Sequence, residues 1–155
     1  MRGLVQRVER ARVLVENDDA VLDVAGEITG GLCVLIGVTH EDTPERARKL
    51  AEKIWYLRLL DDDAGVMNRS LADAAAAGGR AEALIVSQIT LLGNTDKGRR
   101  PSWIDAARPE HAEPLVDAVV HELRRLGCTV ATGRFRTHMK VELVNDGPVT
   151  LMLEV

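Results

Sequence analysis

An α/β fold is predicted: a single domain, residues 1–155, in which a mostly antiparallel, mixed β-sheet carries two main helices packed on it. Three observations predict it. The first forty residues fall into strand-length apolar runs separated by turn residues. Two later segments repeat their apolar residues at helical spacing. No internal repeat and no linker divides the chain of 155 residues, and a chain of that size buries roughly 68–70% of its unfolded surface without staples.

In the first run, GLVQRV, Leu4, Gln6 and Val8 share one parity while Val5 and Arg7 share the other. ARVLVEN, AVLDVAGEI and the almost unbroken LCVLIGV follow, punctuated by Asn17, Asp18, Gly30 and Gly31, which reads as an antiparallel meander. Thr43 before Pro44 is an N-cap followed by proline at the first helical position, and Ala47, Leu50, Ile54 and Leu57 mark one helix face. After the polar turn DDDAG, a short helix is expected within MNRSLADAAAAGGR, ended by Gly78 and Gly79. ALIVSQITLL is rich in β-branched residues and reads as a strand. A second helix runs from Pro109 to a stop at Gly127, with Leu115, Val119, Leu123 and Leu126 on its apolar face. CTVATG, RTHMKVELV and VTLMLEV supply the last strands, the final two joined at Gly147 and Pro148. A central strand is weakened by either of these residues, so the joint is read as a turn or as part of a site.

Composition excludes several function classes. With 24 acidic and 20 basic residues the net charge is -4, which does not suit a protein that coats nucleic acid non-specifically. Trp55, Tyr56, Trp103 and Phe135 are the only aromatics, too few for a base-stacking platform. Nucleic-acid contact is therefore expected at phosphates or a chain end. Charges within MRGLVQRVER break up any signal-peptide core, and no apolar stretch approaches membrane-spanning length. Cys33 and Cys128 show no ligand spacing and are read as reduced, buried thiols of a cytoplasmic protein.

Familiar catalytic motifs are missing: no GxSxG elbow, no Walker loop and no GxGxxG after a strand. His40, His111, His121 and His138 are scattered, and the second histidine that a zincin reading of His121–Glu122 requires would fall on Arg125. No metal and no cofactor is expected. The stretch from Gly93 to Arg108 has little periodicity, and loops of that length are usually functional or disordered. Its Lys97, Arg99, Arg100 and Arg108 suit a solvated loop or a phosphate-contacting one. Ser87, Gln88 and Thr90 are the polar groups expected to be exposed at a strand end. In a regular strand Ser87 and Ile89 face one way, Gln88 and Thr90 the other. A serine nucleophile needs a base within reach, and none lies near in sequence; backbone N–H groups are the other means of holding an oxyanion.

SQITLL, the KGRRPSW loop, MNRSL, GRFRTHM and NDGPVT, preceded by Arg2, Gln6, Arg7, Val8 and GVTHEDTPE, together resemble the D-aminoacyl-tRNA deacylase family, formerly called D-tyrosyl-tRNA deacylase. The likeness runs through nearly the whole chain. It implies a deacylase-type fold with a barrel-like, layered sheet, a homodimer, and aminoacyl-tRNA as substrate. Gly147 and Pro148, joined by a cis peptide, would be a chirality filter reaching into the partner's site, with Arg7 holding their carbonyls. Ser87, Gln88 and Thr90 would line the pocket for the terminal adenosine and the scissile ester, main-chain amides around Gln88 and Ile89 polarising the carbonyl and the tRNA 2′-hydroxyl assisting attack. Phe135 and Met139 would pack around the adenine, and Ile89, Lys97, Arg99 and Arg100 would contact substrate or tRNA. Ile89 and Leu92 stand where aromatics are more common in the family, Trp103 where phenylalanine is, and Glu16–Val24 is longer than usual. Two rival readings are a non-catalytic homodimer of the same fold that binds nucleic-acid ends or a protein, and a broad carboxyl-ester hydrolase.

Overall fold

A computed structural model describes every residue, 1–155. β1 (Arg2–Glu16) is one strand of 15 residues, so the runs Gly3–Val8 and Ala11–Asn17 are not separate strands. Nothing between them turns the chain: Glu9 and Arg10 are exposed, extended residues. β2 (Leu22–Ile28) and β3 (Gly31–Gly37) both run antiparallel to β1. Their pairing with β1 stays in step from one to the other, with Ala11 opposite Ile28 and Val8 opposite Gly31, although β2 slips by one residue against β1 between Val13 and Leu14. The expected meander is therefore corrected to a long hairpin whose return arm is broken once, at Thr29–Gly30. Asn17 Oδ1 organises its turn by accepting from the amides of Asp19 and Val21, both at 3.0 Å.

α1 (Pro44–Tyr56) begins as expected, with the Thr43 hydroxyl accepting from the Arg46 amide. β4 (Leu60–Asp61) and β5 (Met67–Arg69) form a small separate hairpin. α2 (Leu71–Ala76) starts in a capping box between Ser70 and Asp73, confirming the short helix. β6 (Glu82–Ser87) runs parallel to β3. The chain then departs from expectation: Ile89–Leu92 is a 3-10 turn, not more strand. The ladder ends physically, since Gln88 N donates the last bond to the Ile36 carbonyl at 2.7 Å and β3 stops one residue later. α3 (Pro109–Leu126) crosses back and stops at Gly127 in a left-handed conformation. β7 (Thr129–Thr132) is parallel to β6. β8 (Met139–Glu154) lies antiparallel along the other edge of β1, so the last two expected strands form one interrupted strand, and Arg136–His138 precede it as a turn.

The sheet thus runs β8, β1, β2/β3, β6, β7 and coils until β2 meets β7, which makes a nearly closed barrel. Gly26 sits at this closure: a Cβ there would collide with the Thr132 carbonyl oxygen and lie 2.9 Å from its nitrogen. Alternation divides the core. Leu32, Val34, Ile36 and Ile85 pack under α1 and α3, whereas Cys33, Leu84 and Val86 point into the barrel with Val13 and Ile28. LCVLIGV is continuously apolar because both its faces are covered. No helix is long and apolar enough to cross a membrane.

Candidate functional site

Parallel strands leave a crevice beyond their carboxyl ends, where the helices diverge from the sheet. In this chain β3 and β6 open onto a cleft of about 410 Å³ walled by the start of α3 and by the segment from Phe135 into β8. Ile36, Val38 and Val86 form its floor, with Pro109 and Ala112 on the α3 side.

Ser87, Gln88 and Ile89 all line this cleft, which strand parity would forbid. The turn resolves the conflict: Gln88, at φ −140° and ψ 85°, swings the chain from strand into the 3-10 turn. Thr90 is not in the lining, and its hydroxyl is hydrogen-bonded to the Gln88 side-chain amide. The Gln88 backbone amide is already committed to Ile36, which removes it as an oxyanion donor and corrects that expectation. The leading amides of a 3-10 turn have no acceptor inside the turn, and here these belong to Ile89 and Thr90.

Phe135 and Met139 line the cleft and, with Ser87, a contiguous cavity of about 220 Å³. Lys97, Arg99 and Arg100 do not join them. They are exposed on a loop pinned by paired 2.8 Å bonds between Asn94 and Ser102, while only the loop's end, at Ala107, reaches the cleft. Arg136, Thr137 and His138 in the lining were missed as site residues; the available signal was the basic and apolar alternation of GRFRTHM.

The cleft contains no carboxylate. His138 shares it with Ser87, but the two make no hydrogen bond. Burial pushes the Cys33 thiol up to about 11. For Cys128, burial followed by the charge of Glu82 pushes it up to about 12, so neither is a nucleophile near neutrality. Nowhere do three or more His, Cys, Asp or Glu side chains gather in a way that could hold a metal ion.

The NDGPVT segment lies elsewhere on the chain. In the β1–β8 ladder Gln6 faces Thr150 and Val8 faces Asn145, so the lone Arg7 stands opposite Asp146, Gly147, Pro148 and Val149. Those four residues loop out of the sheet. Asn145 ties the base of the loop: its Oδ1 accepts from Val149 N at 2.8 Å, and its Nδ2 donates to the Thr150 hydroxyl at 3.0 Å. Arg7 Nε donates to the Asp146 carbonyl at 3.0 Å, while Nη1 reaches the Leu59 carbonyl (2.9 Å) and Asp61 Oδ1 (2.8 Å). Arg7 therefore grips the residue before the glycine, not the Gly–Pro carbonyls themselves. The Gly147–Pro148 peptide is cis, both residues are exposed, and neither lines the cleft. Gly147 has φ +145°, and a Cβ on it would lie 2.6 Å from Val149 N.

Comparison with known proteins matches residues 4–154 to the family profile described as D-Tyr-tRNA(Tyr) deacylase. A D-aminoacyl-tRNA deacylase of Mycolicibacterium smegmatis is 53% identical over 155 residues, covering all of both chains. One of Heliobacterium modesticaldum is 53% identical over 99% of this chain and 96% of the relative. Among solved structures, the c-Myc DNA Unwinding Element Binding Protein superposes with a TM-score of 0.85 at 34% identity, covering 100% of this chain and 99% of that one. A structure described as a "probable eukaryotic D-amino acid tRNA deacylase" gives 0.81 at 19% identity over 99% and 98%, a likeness of fold.

Proposed function

This chain belongs to the D-Tyr-tRNA(Tyr) deacylase family, and on that premise we propose that it hydrolyses the ester of D-aminoacyl-tRNA, and of glycine mischarged on tRNA, releasing tRNA and the free amino acid. The enzyme is a carboxylic ester hydrolase acting in the cytoplasm, where its substrate is made. The whole chain, 1–155, is one catalytic unit. The observation that carries the reading is a division of parts: the cleft has no hydrogen-bonded nucleophile and base, and the tied, exposed Gly147–Pro148 loop lies outside its own cleft.

In this reading the terminal adenosine enters between Phe135 and Met139, and Ser87 and Gln88 orient the ester. The Ile89 amide holds the developing oxyanion, a role for which a preset N–H suffices. Thr90 acts through its bond to Gln88. Water adds to the carbonyl, the bond to the tRNA 3′ oxygen breaks, and the neighbouring 2′-hydroxyl assists the proton transfer. Gly147 and Pro148 of a second copy receive the α-amino group and leave no room for an L side chain. Arg7 and Asn145 hold that loop still. Rejecting the L form ten-thousandfold needs about 5.4 kcal/mol, which a clash with rigid backbone provides more readily than a missing interaction does. Lys97, Arg99 and Arg100, standing off the cleft, meet phosphates of the tRNA body.

Matched D- and L-aminoacyl-tRNA, with glycyl-tRNA alongside, test the proposal: D and glycyl esters should be hydrolysed and L esters spared. Equal hydrolysis of D and L would defeat the filter. A second reading, a non-catalytic nucleic-acid-binding dimer, is favoured by the name of the 34% identical structure; binding of tRNA without hydrolysis of any ester would establish it.

A further inference from the structure

The loop between β7 and β8 places basic residues beside the cleft in a pattern that the deacylation chemistry leaves unused. From Arg134 to Met139 the side chains alternate: Arg134, Arg136 and His138 are exposed, while Phe135, Thr137 and Met139 are half-buried towards the cavities. A tight turn sets this alternation, the Thr137 hydroxyl donating to the Arg134 carbonyl at 2.8 Å and Arg136 standing at φ +58°. Neither Arg136 nor His138 has a carboxylate within ion-pairing distance; the nine ion pairs of the chain all lie elsewhere.

The surroundings are asymmetric in charge. Arg136 and His138 are the only ionisable residues lining the larger cleft. The smaller cavity beyond Phe135 and Met139 is bordered instead by Glu113 and Asp117 of α3, with Arg134 beside them. A polyanion threading towards Ser87 is repelled on the α3 side of that cavity and attracted on the other. The start of α3 at Pro109 and Ala112 adds the positive end of a helix dipole to the larger cleft.

We infer that Arg136 and His138 form a phosphate clamp for the single-stranded nucleotides just before the terminal adenosine, so that the acceptor end crosses the β7–β8 loop and avoids the Glu113–Asp117 side. This rests on the reading that the cleft receives a tRNA end. The clamp positions substrate and takes no part in bond breaking. It is distinct from the Lys97–Arg100 loop, which does not line the cleft.

Arg136→Gly is the informative variant, because glycine adopts φ +58° freely and the change removes the charge without straining the turn. His138→Ala is the second. Binding of fluorescently labelled, uncharged tRNA, followed by anisotropy between about 50 and 200 mM salt, should weaken roughly five- to tenfold for Arg136→Gly at the low-salt end. The slope of log affinity against log salt should flatten by about 0.7 for each single-strand phosphate that is no longer neutralised. In turnover, KM for D-aminoacyl-tRNA should rise with kcat held, and a D-aminoacyl-adenosine, which carries no phosphate, should be cleaved equally by variant and wild type. Unchanged affinity and salt slope would overturn the clamp, as would an equal loss on the phosphate-free ester. Wild-type protein that binds tRNA through Arg136 yet cleaves no ester would sink the deacylase reading and leave the clamp standing.

Discussion

Gly147 shows how much one hydrogen atom in place of a side chain decides. With φ +145° and a would-be Cβ 2.6 Å from Val149 N, alanine there must push the loop away from its tied base. In Gly147→Ala the D-over-L ratio of kcat/KM should fall about a hundredfold, the scale of a 1 Å misplacement, while thermal stability changes little because the loop is exposed and outside the ladder. An unaltered ratio removes Gly147 from the proposed filter. Asp42 is the opposite case, a buried charge with a structural task. Burial raises its pKa, but bonds from the Met1 ammonium (2.6 Å), the Thr39 amide (2.7 Å) and Arg46 (3.2 Å) outweigh burial and leave the pKa lowered. A carboxyl depressed by folding lends stability that is complete above its unfolded value, about 4, and is lost as pH falls through the folded value. Asp42→Asn should therefore cost roughly 3 kcal/mol at neutral pH, by leaving the buried Met1 ammonium without a counter-charge and with only neutral acceptors such as the Val155 carbonyl. Urea unfolding from pH 7 to 3 should also show a shallower acid decline in the variant, and parallel curves would contradict this account.

Elements owe their ends to partners more than to propensity. SQITLL reads as strand by composition, yet the strand stops at Ser87 because β3 offers no acceptor beyond Gly37. The stop shapes the cleft, since it puts three successive residues, Ser87, Gln88 and Ile89, on its wall. GVTHEDTPE and the segment before Gly127 behaved as their caps foretold, because capping is an interaction within one turn. Gly26 marks where strand pairing alone is insufficient to describe the barrel, for β2 and β7 touch without a ladder between them. Gly26→Ala should cost about 1–3 kcal/mol, the usual effect of overpacking, and reduce hydrogen-exchange protection in β2 and β7 before β3 and β6. Uniform loss of protection would show that the closure is not an independent unit.

At the scale of the whole molecule, the Gly–Pro loop stands outside the cleft of its own chain, so the proposed filter requires the loop of a second copy. Leu151 and Met152, 41% and 46% exposed on β8 close to the loop, offer apolar surface for such pairing. Mass measured in solution should be twice that of the 16.9 kDa chain. Mixing Gly147→Ala, whose cleft is intact, with Ile89→Pro, whose loop is intact, should restore D-over-L discrimination by giving some working cleft an unaltered loop. Failure of the mixture while each variant remains dimeric would locate loop and cleft in the same chain.

The sequence by itself determined the α/β class, the two main helices with their ends, the burial of both cysteines and, through its motifs, the family. These depend on periodicity, capping and local residue order, which are short-range. Tertiary structure alone decided that two pairs of apparent strands are single long ones, that Gln88 has spent its amide on Ile36, and that Arg7 holds Asp146. It also brought Arg136 and His138 to the cleft and left Lys97, Arg99 and Arg100 outside it. Each of these turns on which distant backbone atom lies opposite which, and pairing register is set by the packed sheet as a whole.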